Sequence, residues 1–400
     1  MAHYKMLDGN TACVEAIKMA KVKVVSAYPI TPQSTIAEKL SEEVESGALD
    51  AGYIRVESEH TAMSCAVGAQ LTGVRTATAT ASVGLALMHE VLNVASGCRV
   101  PIVMPVVNRS LASPWSLWCD HQDSIAERDS GWLQLYCENV QDIYDTMLMA
   151  YRIAENPEVL TPIMVCLDGF FLSHSMQKVL LPEQAEVDEF IGEYTVNNLK
   201  LDPEDPMVID NLIGSDEITE MKYQQAIGFE KAHDVMLEVF EEFYQKFGRR
   251  KALVEGYRTE DAEAVVVTLG SMSGTAKYVV DQLHEQGHKV GAVKVVSFRP
   301  FPAKELRELL SGIKKVAVID RTTGFGGEGA PMWVETKAAL SDEYLVKGYI
   351  AGLAGRDIHT GTIEQVFRDI LASDQAGEKP VWIDCNTEHA MNIREVNKYV

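Results

Sequence analysis

Apolar and polar positions along this chain switch repeatedly between a two-residue and a 3.6-residue period. A β-branched run over 22–27 predicts a buried strand, and Ile36, Leu40 and Val44, four apart, predict an amphipathic helix behind it. Upstream, Ala12, Cys13, Ala16, Ile17 and Ala20 share one face of a helix over 10–20. A second strand is expected over 53–56, then a helix rich in small residues over 60–71 that packs tightly against it. A threonine-alternating stretch follows over 75–81, and a helix over 84–95. The apolar runs 101–107 and 162–167 read as strands of a parallel sheet buried on both faces.

The pattern breaks from about Ser175 to Glu255. Residues 201–216 are loop-like, with Asp-Pro turns, and 218–247 form a long helix with a charged outer face. Alternation resumes near Ala262. Strands are expected over 264–269, 290–296, 315–319 and 344–350, with helices over 274–286, 303–310, 331–340 and 362–371. A last short apolar segment covers 381–383. Such β–α alternation implies parallel sheets covered by helices. The expected divisions are 1–175, a linker with a long helix over 176–258, a smaller α/β domain over 259–375 and a tail over 376–400.

Composition narrows the function classes. The chain has 400 residues, 46% of them hydrophobic, and a net charge of −22. That charge argues against a nucleic-acid surface. No apolar run is long enough to cross a membrane and the start shows no signal-peptide pattern, so a cytoplasmic protein is expected. The seven cysteines form no CxxC pair, which makes this chain alone a poor candidate for a zinc or iron–sulfur site.

Candidate chemistry concentrates where strands end. The loop Tyr28-Pro29-Ile30-Thr31-Pro32 follows the first strand, at the edge where parallel sheets place ligands. Thr31 followed by Pro32 also reads as a helix N-cap with proline at the first helical position. Glu57 and Glu59 end the second strand; Glu59 is either a buried carboxylate or an acid complementing a helix start. His60 reads as a structural neighbour. Arg109 follows the strand 102–107 and is either a carboxylate clamp or a surface arginine. Asp120-His121-Gln122-Asp123 invites a metal reading, but Ser124-Ile125-Ala126-Glu127 fits a capping box, and a helix start is preferred. Gly324-Phe325-Gly326-Gly327-Glu328-Gly329 matches GxGxxG, yet it lies four residues beyond its strand with no acid after the next one. A turn before the helix is preferred there.

Taken together, AYPITPQS (27–34), VESEHTAM (56–63), GLALMHEV (84–91), NRSLASP (108–114), WCDHQDSIAERDSGW (118–132), LDGFFLSH (167–174), SFRPFP (297–302) and IAGLAGRD (350–357) resemble the α subunits of 2-oxoacid:ferredoxin oxidoreductases, most of all the pyruvate enzymes. The resemblance spans essentially the whole length. It implies an α/β fold: a thiamine diphosphate pyrimidine-binding domain, a parallel sheet with helices on both faces, followed by a smaller transketolase C-terminal-like domain. It implies CoA-dependent oxidative decarboxylation of a 2-oxoacid, with electrons passed to ferredoxin. Thiamine diphosphate would be shared with a β subunit. Mg²⁺ and [4Fe–4S] clusters would sit on partner subunits (β, γ and a ferredoxin-like δ), and coenzyme A would be the co-substrate.

By the same resemblance, Glu59 would hydrogen-bond the aminopyrimidine, Arg109 would hold the substrate carboxylate and Thr31 would donate to the substrate. Pro29 and Ile30 would pack beside the aminopyrimidine. Ser82-Val83-Gly84 departs from the Ser-Gln-Gly of many relatives and removes an amide near the cofactor. Trp115 could serve an aromatic 2-oxoacid, though packing is the preferred role. The second half is expected to serve assembly and to shape the route to the site. A bulkier 2-oxoacid, or a non-catalytic scaffold, are the rival readings.

Overall fold

The computed structural model describes residues 3–196 and 199–392, so the expected tail over 376–400 lies outside the described residues from 393 on. The first half contains strands β1 (His3–Leu7), β2 (Val24–Ala27), β3 (Gly52–Arg55), β4 (Thr76–Ala77), β5 (Val103–Asn108), β6 (Leu133–Tyr136), β7 (Ile163–Asp168) and β8 (Gln177–Leu181). Between and after them run helices α1 (Gly9–Met19), α2 (Ser34–Glu45), α3 (Glu59–Gln70), α4 (Ser82–Leu87), α5 (His89–Gly97), α6 (Gln122–Ala126), α7 (Val140–Ala154), α8 (Gln184–Ile191) and α9 (Ser215–Phe247). The second half adds β9 (Val254–Tyr257), β10 (Ala264–Leu269), β11 (Val290–Val295), β12 (Ser297–Arg299), β13 (Lys315–Asp320), β14 (Leu345–Ile350) and β15 (Val381–Trp382). Its helices are α10 (Met272–Glu285), α11 (Ala303–Leu309), α12 (Pro331–Ala339), α13 (Thr360–Ala372) and α14 (Thr387–Ala390).

In the first half β2 pairs in parallel with β3 and β4, and β7 in parallel with β5 and β6. A bridge between Thr80 and Val106 joins the two groups. The carboxyl ends of β2, β3, β4 and β5 therefore open on one edge. The second sheet has the order β15-β14-β13-β10-β11-β9, parallel except for β9. Strands β5, β7, β10 and β11 are buried at every position, which explains their mostly apolar runs; Lys294 in β11 is a buried charged exception. Strand β12 crosses from the second half to pair antiparallel with β6, and one apolar core runs continuously through the junction.

Several expectations need correction. Strand β1, β8 and α8 lie where no element was expected, so the loss of pattern begins after Ile191 rather than at Ser175. β1 and β8 pair with each other in an antiparallel ladder. The helix expected over 84–95 starts earlier and is interrupted, because the Met88 N–H is shared between the Gly84 and Leu85 carbonyls. Of 75–81 only Thr76–Ala77 is strand. Helix α9 ends on Gly248 in the left-handed region (φ 69°), a conformation glycine adopts without steric cost. No helix among the described residues is long and apolar enough to cross a membrane.

Candidate active site at the carboxyl edge of the first sheet

The loop after β2 is set from below. The Asn10 amide donates to the Pro32 carbonyl (2.8 Å) and to Thr35 Oγ1 (2.6 Å). The Gln33 N–H closes a turn on the Ile30 carbonyl (2.7 Å). Helix α2 starts only at Ser34, with Gln33 at the N-cap and no side-chain cap bond. Thr31 is therefore not the cap and Pro32 is not the first helical residue. The turn uses the Ile30 carbonyl, and Thr31 is left exposed at the rim, with Pro29 exposed and Ile30 half-buried beside it.

Arg109 follows β5 and is only 3% exposed. Its Nη1 donates to the Thr31 carbonyl (2.9 Å) and its Nε to the Ser116 carbonyl (3.0 Å). Thr31 and Arg109 are thus joined directly. No carboxylate pairs with the guanidinium among the described residues. Burial pushes its pKa down, and the nearby Asp123 carboxylate offsets this only in part. An anion at that position would recover the lost solvation.

Glu59 is the first residue of α3, whose N-cap Ser58 accepts the Thr61 N–H. The residue is 6% exposed, and its carboxylate has no hydrogen-bond partner among the described residues. It lies against the turn that opens α4. A Cβ on Gly84 would stand 2.6 Å from Glu59 Oε1 and 2.7 Å from Thr80 Oγ1, so this close approach requires glycine. Thr80 Oγ1, Thr78 Oγ1 and Ser110 Oγ are buried without partners nearby in the chain. Val83 is part-exposed at the same turn and brings no polar group. Glu57, by contrast, is exposed and accepts from Thr61 Oγ1 (3.0 Å); His60 faces Glu90 (3.3 Å) on the surface.

Asp123 was not singled out as a site residue, yet it lies at the centre of this edge. It is fully buried. Its Oδ2 accepts the Ser82 N–H (2.9 Å) and the Arg109 N–H (2.9 Å), while Oδ1 accepts from Asn108 Nδ2 (2.8 Å) and the Ser124 N–H (2.8 Å). Burial pushes its pKa up to about 6 despite these bonds. The capping-box reading of Ser124 is corrected: α6 begins two residues earlier, behind His121, and Ser124 Oγ instead meets Tyr136 and Asn108 in the core. The available signal was a polar run, DHQDS, too polar to be buried unless every group had a partner.

His121 pairs with Asp168 (2.8 Å), and Arg321 of the second half reaches the same carboxylate (2.7 Å). Cys119, His121 and Asp168 place ligand atoms within 4.8 Å of one another. Burial opposes the Asp168 charge, but Arg321 and His121 hold it well below the usual carboxylate range. Burial pushes the Cys119 thiol well up. This set is already neutralised by Arg321 and offers no free charge to a cation. Trp115 is 78% exposed, on the short loop that returns to Arg109 through the Ser116 carbonyl. The glycine run 324–329 forms the turn before α12, and Asp320 accepts the Met332 (3.0 Å) and Trp333 (3.1 Å) N–H groups that open that helix.

These residues fit the pyrimidine half of thiamine diphosphate: a buried unpaired carboxylate, orphaned hydroxyls and a side-chain-free approach at Gly84. A family model described as pyruvate flavodoxin/ferredoxin oxidoreductase, thiamine diphosphate-binding, matches residues 15–241. One described as pyruvate:ferredoxin oxidoreductase core domain II matches residues 262–363. Pyruvate synthase subunit PorA of Methanocaldococcus jannaschii is 45% identical over 385 residues, 96% of this chain and 98% of that protein. Ketoisovalerate oxidoreductase subunit VorA of Pyrococcus abyssi is 42% identical over 378 residues, 94% of this chain and 95% of that one. Among solved structures, a 2-oxoglutarate:ferredoxin oxidoreductase from Magnetococcus marinus matches with a TM-score of 0.70 at 20% identity. The match covers 92% of this chain and 65% of that one. A split-gene transketolase matches with a TM-score of 0.55 at 13% identity over 92% of this chain and 99% of that one. At these identities the two structures show the fold.

Proposed function

This chain belongs to the pyruvate flavodoxin/ferredoxin oxidoreductase family as a 2-oxoacid oxidoreductase subunit, and from that premise we propose that it supplies the pyrimidine-facing and substrate-facing half of a thiamine diphosphate site acting on pyruvate. The observation that best supports this reading is the placement of Glu59 and Arg109 on one sheet edge, two ionisable side chains that make no ion pair among the described residues.

When bound, thiamine diphosphate supplies the nucleophilic carbon and the electron sink for decarboxylation. Glu59 would share a proton with a ring nitrogen of the aminopyrimidine, donating it in the hydrogen bond to the neutral ring, and Pro29 and Ile30 would flank that ring. Arg109 orients the 2-oxoacid by its carboxylate, and Thr31 donates to the substrate from the rim. Once CO₂ leaves, Arg109 has no matching charge to hold, so its role is to orient the 2-oxoacid for the bond that breaks.

The proposed divisions are a pyrimidine-binding domain over 1–175, a linker with a long helix over 176–258, a transketolase C-terminal-like domain over 259–375 and a tail beyond. Coenzyme A is the proposed acyl acceptor. The diphosphate, Mg²⁺ and [4Fe–4S] clusters are assigned to partner subunits (β, γ and a ferredoxin-like δ), with ferredoxin as acceptor. All seven cysteines are free, which suits the proposed cytoplasmic setting.

A branched 2-oxoacid is the second reading, supported by the 42% identity to the ketoisovalerate subunit. The test is viologen reduction by the intact complex with coenzyme A and pyruvate, 2-oxoisovalerate, 2-oxoglutarate or phenylglyoxylate. Pyruvate is expected to give the highest kcat/KM. A dominant phenylglyoxylate rate would move Trp115 into the pocket, and no rate with any 2-oxoacid would return the chain to a scaffold role.

A further inference from the structure

We propose that Asp123 is the positioning residue that holds the substrate arginine and the cofactor-facing turn in one register, and that the DHQD segment transmits the placement of the second half to that site. The proposal rests on the functional reading above.

A single carboxylate oxygen carries it. Asp123 Oδ2 accepts the backbone N–H of Arg109 and of Ser82, both at 2.9 Å. Arg109 begins the loop that bears the guanidinium. Ser82 opens the turn that brings Gly84 against Glu59. Ser82 holds φ at 52°, a conformation that a non-glycine residue keeps only when its surroundings fix it. A second tie joins the same two segments: Ser82 Oγ donates to the Ser110 carbonyl (2.5 Å). The other carboxylate oxygen is anchored by Asn108 and Ser124. Asp123 therefore cannot shift without moving both poles.

The same segment is held from the opposite side. Asp120 accepts the Ala354 N–H (3.0 Å), the Gly355 N–H donates to the Cys119 carbonyl (2.6 Å) and the His121 N–H donates to the Arg321 carbonyl (2.9 Å). Arg321 Nη2 reaches the Cys119 carbonyl (3.1 Å) while its Nη1 bonds Asp168. The two aspartates of the motif thus point to different halves of the molecule, four residues of chain linking the second sheet to the substrate arginine.

The test uses the intact complex and 2-oxoacid-dependent dye reduction. Asp123→Asn replaces the shared acceptor by an amide that faces two N–H donors. It is expected to raise the KM for the 2-oxoacid about tenfold or more, with kcat changed less than about threefold, because Arg109 itself remains. Ser82→Ala removes only the second tie and is expected to raise KM about threefold with assembly intact. Ser130→Ala removes a buried hydroxyl that donates to the Glu127 carbonyl (2.7 Å), outside the Asp123 network, and is expected to leave KM unchanged. Asp123→Glu, which restores a charged acceptor, is expected to recover part of the KM. If Asp123→Asn fails to assemble, Ser82→Ala against Ser130→Ala decides. Equal KM effects of those two, or a KM unchanged in Asp123→Asn, would overturn the positioning role while wild-type turnover keeps the functional reading. Absence of any 2-oxoacid turnover in the wild-type complex would overturn that reading and this proposal with it.

Discussion

Two groups of buried charge in this molecule behave in opposite ways. At the seam between the halves, Lys294 is 4% exposed and lies within 3.0 Å of Asp142 and 3.2 Å of both Glu138 and Glu255. Lys251 joins Asp142 and Lys277 joins Glu138. Burial alone would lower the Lys294 pKa, but Asp142, Glu255 and Glu138 hold it well above the usual lysine value. At the carboxyl edge, Glu59 and Arg109 are also buried residues but make no direct ion pair among the described residues; the Asp123 carboxylate bonds only the Arg109 backbone N–H. Charge is costly to bury. A seam that pairs its charges internally is structural, whereas an edge that leaves its ionisable side chains without ion pairs is open to a ligand. Burial alone did not distinguish the two; the partners did.

Breaking that contrast should be easiest at Glu59. Glu59→Gln is expected to lower turnover of the intact complex by about 10²–10⁴-fold, read as 2-oxoacid-dependent dye reduction, while complex assembly stays normal. Turnover within twofold of wild type would favour the scaffold role. At Arg109, lysine keeps the charge and loses the planar fork that reaches Thr31 and Ser116. Arg109→Lys should cost about 10²-fold in kcat/KM, mostly through KM, and saturation kinetics would show it; an unchanged KM would remove Arg109 from the substrate.

The seam should respond in the other currency. Lys294→Met leaves three carboxylates facing one another without their shared cation. Its expected cost is about 3–5 kcal/mol of stability, seen in denaturant or thermal unfolding, with KM unchanged in whatever fraction assembles. A melt indistinguishable from wild type would show that the seam is not held by that charge.

The smallest expected effect sharpens the contrast by pH. Burial raises the Asp320 pKa to about 7 despite its two N–H donors. Because the folded value lies above the unfolded one, the associated stability is fully present below about pH 4 and is lost as pH rises through 7. Asp320→Asn removes this dependence, about 4 kcal/mol over the whole titration, of which about 2–3 kcal/mol falls above pH 5. The variant should therefore gain on wild type between pH 5 and pH 8, and parallel melting curves over that range would contradict the assignment.

Much of this was legible along the chain. Strands β10, β11, β13 and β14 of the second sheet and the long helix α9 follow from periods and mostly apolar runs, which reflect burial on one or both faces; β9 of the same sheet was not expected. The missed elements have a physical reason. Helix α7 is buried on nearly every side, yet carries Asp142 and Asp145, and these are neutralised by Lys251, Lys294 and Arg249 from more than a hundred residues away. Strand β1 is mostly exposed and exists through its pairing with β8. At the site, Glu59, Arg109 and Thr31 could be named because they follow strand ends. Asp123 could not, since its role depends on two backbone N–H groups that the fold brings to it. The N-cap reading of Thr31 failed because a local rule competed with the turn that Asn10 and Gln33 impose.

The measurement that bears most directly on the open charges is thermal unfolding of the intact complex, cofactor-free and then with thiamine diphosphate and Mg²⁺, for wild type and Glu59→Gln. If the buried carboxylate awaits the cofactor, the glutamine variant melts at the same or a higher temperature when cofactor-free and loses most of the cofactor-induced increase. A cofactor-free variant that melts lower, with the full cofactor-induced increase retained, would contradict the account and make Glu59 a structural residue.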